Sequence, residues 1–188
     1  MEALDALLNR VSVPRLEAPA PSAEQREVLF QAALRAPDHG QLRPWRFLTV
    51  EGDRREQLGE VLAEAVALKG QAIGEPAQEK ALDKARGMPL RAPLVVVVIA
   101  RLQDHYKVPR HEQLQAAACA AHGILLAAYA QGIGAVWRTG ELAYDAHVGQ
   151  ALGLEAGEEV IAFLYLGTPA KAPRVPEPLP TADFVQAW

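Results

Sequence analysis

The stretch Ala92–Ala100, APLVVVVIA, decides the fold. It is continuously apolar, and Val95 to Ile99 are all β-branched. A half-exposed strand alternates apolar and polar side chains, so an unbroken run predicts a strand covered on both faces. Such a strand needs helices above and below it, and the sequence to either side supplies them.

Downstream, Arg110–Gln131 predicts a helix of about 22 residues, some 33 Å long at the standard rise. Its second half, within AAACAAHGILLAAYA, is apolar on nearly every face, which predicts a helix surrounded by protein, part of that cover coming from a partner subunit. Gly132 ends it, and GIGAVWRTG (Gly132–Gly140) gives a short strand with a polar end. Tyr144–Leu152 reads as a further helix and EEVIAFLYLG (Glu158–Gly167) as a strand. Upstream, Ala3–Asn9 is a short helix with leucines at helical spacing. Ser22 and Gln25 fit a capping box opening a helix to Leu34, which Pro37 stops. RFLTVEG (Arg46–Gly52) reads as a strand, Arg54–Ala67 and Ala77–Arg86 as helices, and Lys69–Ala77 as a glycine-containing loop. Helices and strands mix without strict alternation, an α+β pattern in which a sheet lies sandwiched between helices. Neither a repeat nor a linker divides residues 1–188. The proline-rich tail, residues 167–188, cannot form an ordinary helix or central strand, and its Phe184, Val185 and Trp188 call for burial.

Composition narrows the function. Of 188 residues half are hydrophobic, and the net charge is −4, which disfavours nucleic acid as a partner. The N-terminus lacks a signal-peptide pattern, and the longest apolar run is too short for a membrane span. The expected location is the cytoplasm. Cys119 is the only cysteine; it is read as an inert core thiol. His111-Glu112 lacks the second histidine of a zinc-protease helix, since position 115 is Gln. Gly132-Ile133-Gly134 lacks the third glycine of a dinucleotide fingerprint, where Trp137 stands. No serine elbow, phosphate loop or metal-ligand spacing is present.

Three polar clusters remain, each at the end of an element: Arg10–Ser12, Arg35–Arg43 and Trp137–Thr139. Arginine suits a phosphate or an electron-rich ring. Taken alone, Arg35–Trp45 reads equally well as a solvated turn, and Trp137 as a core aromatic. Arg138 is harder to dismiss, because a charge on a buried strand needs a partner.

Together these segments resemble the nitroreductase superfamily of FMN-dependent oxidoreductases, and within it the small YdjA-like subgroup. The likeness rests on Asn9-Arg10-Val11-Ser12, Ala36-Pro37, Pro44-Trp45-Arg46-Phe47, Gln131–Trp137 and Leu166-Gly167-Thr168-Pro169. The subgroup marks are Arg35–His39, Lys107–Arg110 and Trp137–Thr139. The resemblance implies a three-layer sandwich with a mixed, mainly antiparallel sheet, and a C-terminal arm wrapping the partner of a homodimer. It implies FMN at the dimer interface, with NAD(P)H as electron donor and an electron-poor acceptor such as a nitroaromatic or quinone. Arg10, Val11 and Ser12 would hold the phosphate and ribityl end, although Val11 stands where many members have a second arginine. Arg35 and His39 would reach the flavin from the partner, and Trp137, Arg138 and Thr139 would line its other side. Asp38, Gln41, Arg43, Lys171 and Arg174 are left without an assigned role. No catalytic acid or base and no metal is expected. The alternative is an FMN carrier or sensor with little turnover.

Overall fold

The computed structural model describes residues 2–188 and forms three layers. Helices α1 (Ala3–Asn9), α2 (Ala23–Ala33) and α5 (Arg110–Ala130) cover one side of a five-stranded sheet. Helices α3 (Arg54–Ala72), α4 (Glu79–Arg86) and α6 (Ala146–Ala151) cover the other. The strands are β1 (Leu16–Glu17), β2 (Trp45–Glu51), β3 (Leu94–Arg101), β4 (Gly134–Arg138) and β5 (Glu158–Pro169). The expected mainly antiparallel sheet is antiparallel at every described pairing.

β3 is the strand read from Ala92–Ala100, and Leu94 through Ala100 are all buried. Leu94, Val96, Val98 and Ala100 meet α2 and α5, while Val95, Val97 and Ile99 meet the α3 side. β5 is the hub, pairing β3 over most of its length, β4 at residues 163–167 and β1 at residues 168–169. A register shift opposite Val98 and Ile99 leaves Ile161 unpaired, so Ile161 and Ala162 both turn toward the α5 side.

Local signals set the ends of α2. The Ser22 hydroxyl accepts from the Gln25 N–H, and the Gln25 side chain accepts from the Ser22 N–H. At the other end of the sheet, Glu158 takes both oxygens to Arg46, at 2.7 and 2.6 Å, tying β5 to β2 across the end of β3.

Three expectations are corrected. Lys69–Ala77 is not all loop: α3 continues to Ala72. Gly70 looked like a breaker, but it is a point of close approach, since a Cβ there would lie 2.6 Å from the Glu75 carbonyl oxygen. Tyr144–Leu152 divides into a 3-10 turn (Glu141–Tyr144) and α6. Cys119 is exposed, because α5 turns only one side to the sheet, and Cys119 and His122 lie on its outer side. The tail beyond Pro169 carries only a 3-10 turn (Thr181–Asp183), and Phe184, Val185 and Trp188 stand exposed in the single chain. No described helix is long and apolar enough to cross a membrane.

Candidate functional site

The strand β4 divides its own motif. Successive side chains point to opposite faces, so Trp137 packs half-buried against the α2–α5 core. Arg138 and Thr139 instead border a cavity of about 720 Å³ between the sheet, α3, α4 and the Glu141–Tyr144 turn. Leu62, Val66, Met88 and Phe163 make much of its wall. Tyr165 of β5 lies 5.8 Å, centroid to guanidinium carbon, from Arg138. Burial pushes the Tyr165 phenol up, and the nearby charges of Arg138 and Arg91 oppose that shift. The Nε of Arg138 is buried with no hydrogen-bond partner. An orphaned, charged donor beside a hollow this size fits an acceptor-bearing ligand with a flat apolar body.

Arg10, Val11 and Ser12 follow α1. Val13 donates its N–H to the Ala135 carbonyl at 2.9 Å, which lays this segment beside β4. Arg10 and Val11 border a smaller cavity of about 210 Å³ with Leu125 and Tyr129 of α5 and with Pro173 of the tail. The Val11 side chain is buried, so this position offers a ligand only its backbone, whereas Ser12 is exposed. Lys171 and Arg174 bracket Pro173 in sequence and are exposed. Arg10 also acts on His122: burial first, and then the arginine charge, lower its imidazole below the usual value.

The Arg35–Trp45 turn is strongly organised. The Asp38 carboxylate accepts the N–H groups of Leu42 at 3.2 Å and Arg43 at 2.7 Å, so it builds the turn. The backbone of Gly40, Gln41 and Arg43 is left-handed, with φ of 76°, 54° and 49°. Two non-glycine residues in that region store strain, which turns at binding sites often carry. Arg35, Gln41 and Arg43 border a third hollow, of about 550 Å³. His39 is exposed, and its Nδ1 lies 2.7 Å from the Glu112 carboxylate on the first turn of α5. With Nδ1–H donating to that carboxylate, Nε2 is free to accept from a ligand. Buried Gln113 braces the neighbouring loop, bonding the N–H and carbonyl of Gln103 and the carbonyl of Val108.

Within one chain, then, the three clusters border three separate hollows. The sequence missed Tyr165, Lys84 and Arg91 of the largest one. Tyr165 sits inside an apolar strand and reads as core, while Lys84 and Arg91 carry no motif.

The nitroreductase family profile matches residues 7–168. The chain belongs to the nitroreductase family. YdjA of Escherichia coli, which bears the name of an NAD(P)H nitroreductase, is 42% identical over 188 residues, 98% of this chain and 100% of that protein. A nitroreductase-like family protein of Bacillus cereus superposes with a TM-score of 0.82 over 100% of this chain and 96% of that one, at 23% identity. A Desulfovibrio desulfuricans protein described as a nitroreductase and solved in complex with FMN gives a TM-score of 0.67 at 26% identity, covering 96% and 99% of the two chains. The family match runs from Leu7 in α1 to Thr168 in β5, so all three clusters lie inside it.

Proposed function

We infer that this protein is an FMN-dependent NAD(P)H oxidoreductase that reduces an electron-poor small molecule, such as a nitroaromatic or quinone, as a cytoplasmic homodimer with FMN at the subunit interface. The observation that carries the reading is the orphaned Arg138 Nε beside the 720 Å³ cavity, in a chain 42% identical to a protein named as an NAD(P)H nitroreductase. When bound, FMN would supply the hydride-transfer chemistry between NAD(P)H and the acceptor.

The chain's own residues bind and orient. Arg10 offers a charged fork and Ser12 a hydroxyl to the phosphate and ribityl end, with Val11 contributing backbone alone. Arg138, whose side chain has no hydrogen-bond partner among the described residues, offers its guanidinium charge to an electron-rich edge of the ring system, where positive charge stabilises a reduced, anionic ring. Thr139 lines the same wall, and Trp137 supports the strand from behind. Arg35 and His39, the latter oriented by Glu112, face outward and serve the site of the partner chain. The dimer reading also gives the outer stripe of α5, with Cys119 and His122, and the apolar residues of the arm a surface to cover them.

The spectrum of the purified protein tests the reading. Flavin absorbance that bleaches with NADPH or NADH under anaerobic conditions is expected. Colourless protein that takes up no FMN overturns it, and a yellow protein that neither nucleotide bleaches is a carrier. Arg10→Ala should weaken FMN binding by roughly 10- to 100-fold, the loss of one charge-assisted hydrogen bond; unchanged affinity by flavin-fluorescence titration removes Arg10 from the phosphate site. Truncation after Gly167 should abolish the dimer in sedimentation, and a stable dimer of that length excludes the arm from the interface.

A further inference from the structure

The 720 Å³ cavity holds more positive charge than its own carboxylates neutralise. Glu141 is taken by Lys69. Asp145 is taken by the start of α6, where Oδ1 accepts the N–H groups of His147 at 2.9 Å and Val148 at 3.3 Å. That leaves Lys84 of α4, Arg91 just before β3, and Arg138 of β4, none with a carboxylate partner among the described residues. The neighbouring carboxylates of α4 do not help Lys84: Glu79 and Asp83 both bind Arg86.

Arg138 is already assigned to the cofactor. Lys84 and Arg91 are not, and both border a chamber whose wall is otherwise mainly apolar. Arg91 borders the chamber together with Tyr165, and its charge opposes the effect of burial on the Tyr165 phenol. Such a combination selects a ligand with two parts. The apolar wall favours a flat hydrophobic body. The guanidinium and ammonium favour a negative group, which they meet without first giving up a protein partner.

We propose that this cavity admits, beside the cofactor, a ligand with a flat ring and an anionic group, the ring against the apolar wall and the anion held by Arg91 and Lys84. The proposal rests on the FMN reading above, since it takes this cavity as the place where a substrate meets the cofactor. The anion has two sources, a carboxylate or sulfonate on the acceptor, or a phosphate of the nucleotide donor.

Calorimetric titration of the full-length purified protein separates them, using para-nitrobenzenesulfonate, its neutral isostere para-nitrobenzenesulfonamide, and NADP⁺. An acceptor-borne anion makes the sulfonate bind about tenfold tighter than the sulfonamide, an advantage that Arg91→Met and Lys84→Met each cut several-fold and that added salt erodes. A donor-borne anion leaves the two nitro compounds equal and weakens NADP⁺ in both variants by a similar factor. Both patterns support the site. If neither the sulfonate nor NADP⁺ responds to either substitution, the proposal is overturned. Lys84 and Arg91 are exposed, so both variants should fold, and unchanged thermal melting verifies it. The flavin absorbance of the same samples keeps the two readings apart. Colourless wild-type protein sinks the cofactor assignment, whereas yellow variants with unaltered affinities sink this inference alone.

Discussion

The two faces of the sheet are built to different ends. On the α5 side, Ala116, Ala117, Ala120, Ala121 and Ala128 present small side chains to the strands, and every one is buried. Small side chains let the helix approach the sheet, and the hollow beside α5 is only about 210 Å³. On the α3 side the same strands send out Phe163 and Tyr165, and the covering helices stand back around 720 Å³ of space. Alternation along β5 therefore sets Leu164 and Leu166 in the α5-side core and Phe163 and Tyr165 on the wall of the chamber, while Val95, Val97 and Ile99 of β3 stay buried in a second apolar cluster beside α3.

The largest effect expected from this division is at Leu164, fully buried on the α5 side. Leu164→Ala should cost about 2–5 kcal/mol, as transfer loss and a new void add. Met88→Ala, on the wall of the existing hollow, should cost less than about 1.5 kcal/mol, because it adds no enclosed void. Equal losses in urea denaturation would abolish the distinction between the faces.

A second contrast is between two arginines. Arg46 is paired with Glu158, whose side chain is 5% exposed, and Arg46→Met should cost about 1–2 kcal/mol, because it leaves that carboxylate only the Glu155 N–H at 3.0 Å and Arg101 at 3.4 Å. Arg138→Met strands nothing, since its Nε has no partner, so the melting temperature of the FMN-free protein should hold or rise while FMN binds about tenfold more weakly. Loss of stability without loss of flavin affinity would show Arg138 to be structural.

The Arg46 partnership also has a pH signature. The Arg46 hydrogen bonds hold the Glu158 carboxyl below its ordinary value near 4.5, and Arg26 does the same for Glu51. The folded state thus binds these protons less readily than the unfolded chain. The stabilisation is complete above the ordinary carboxyl range and is lost as the pH falls through it toward the lower folded values. Urea midpoints should drop in that window, and less steeply in Arg46→Met. The smallest effect belongs to His122, whose lowered pKa makes the folded state resist protonation. Stability should therefore decline as the pH falls below the usual histidine value near 6.5. His122→Gln should remove that slope; an unchanged slope would locate it elsewhere.

Much of the scaffold was legible because its signals are local. The Ser22–Gln25 box, the stop at Pro37, the unbroken β3 run and the end of α5 at Gly132 each depend on neighbours in sequence. What escaped depends on distant ones. Gly70 reads as a helix breaker until Glu75 and Pro76 are seen folded back against it. Cys119 reads as core because α5 is apolar on all sides, and only the tertiary arrangement decides which side meets the sheet. The arginines proposed to meet the ligand were visible as charges in improbable places, Arg138 above all. Lys84 and Arg91 were not, since nothing in their spacing brings α4 and the approach to β3 to one wall.

β5 has a consequence for biosynthesis. It pairs with three other strands, and its end meets β1 through Leu16 and Pro169, 153 residues apart in sequence. β3, the most apolar strand, is flanked on one side by β2, and its other edge is bare until β5 leaves the ribosome. Nearly the whole chain must be made before that edge is closed. A nascent or prematurely ended chain thus exposes a ready template for pairing with other polypeptides, and nonsense mutations before β5 should yield aggregates rather than partly active protein.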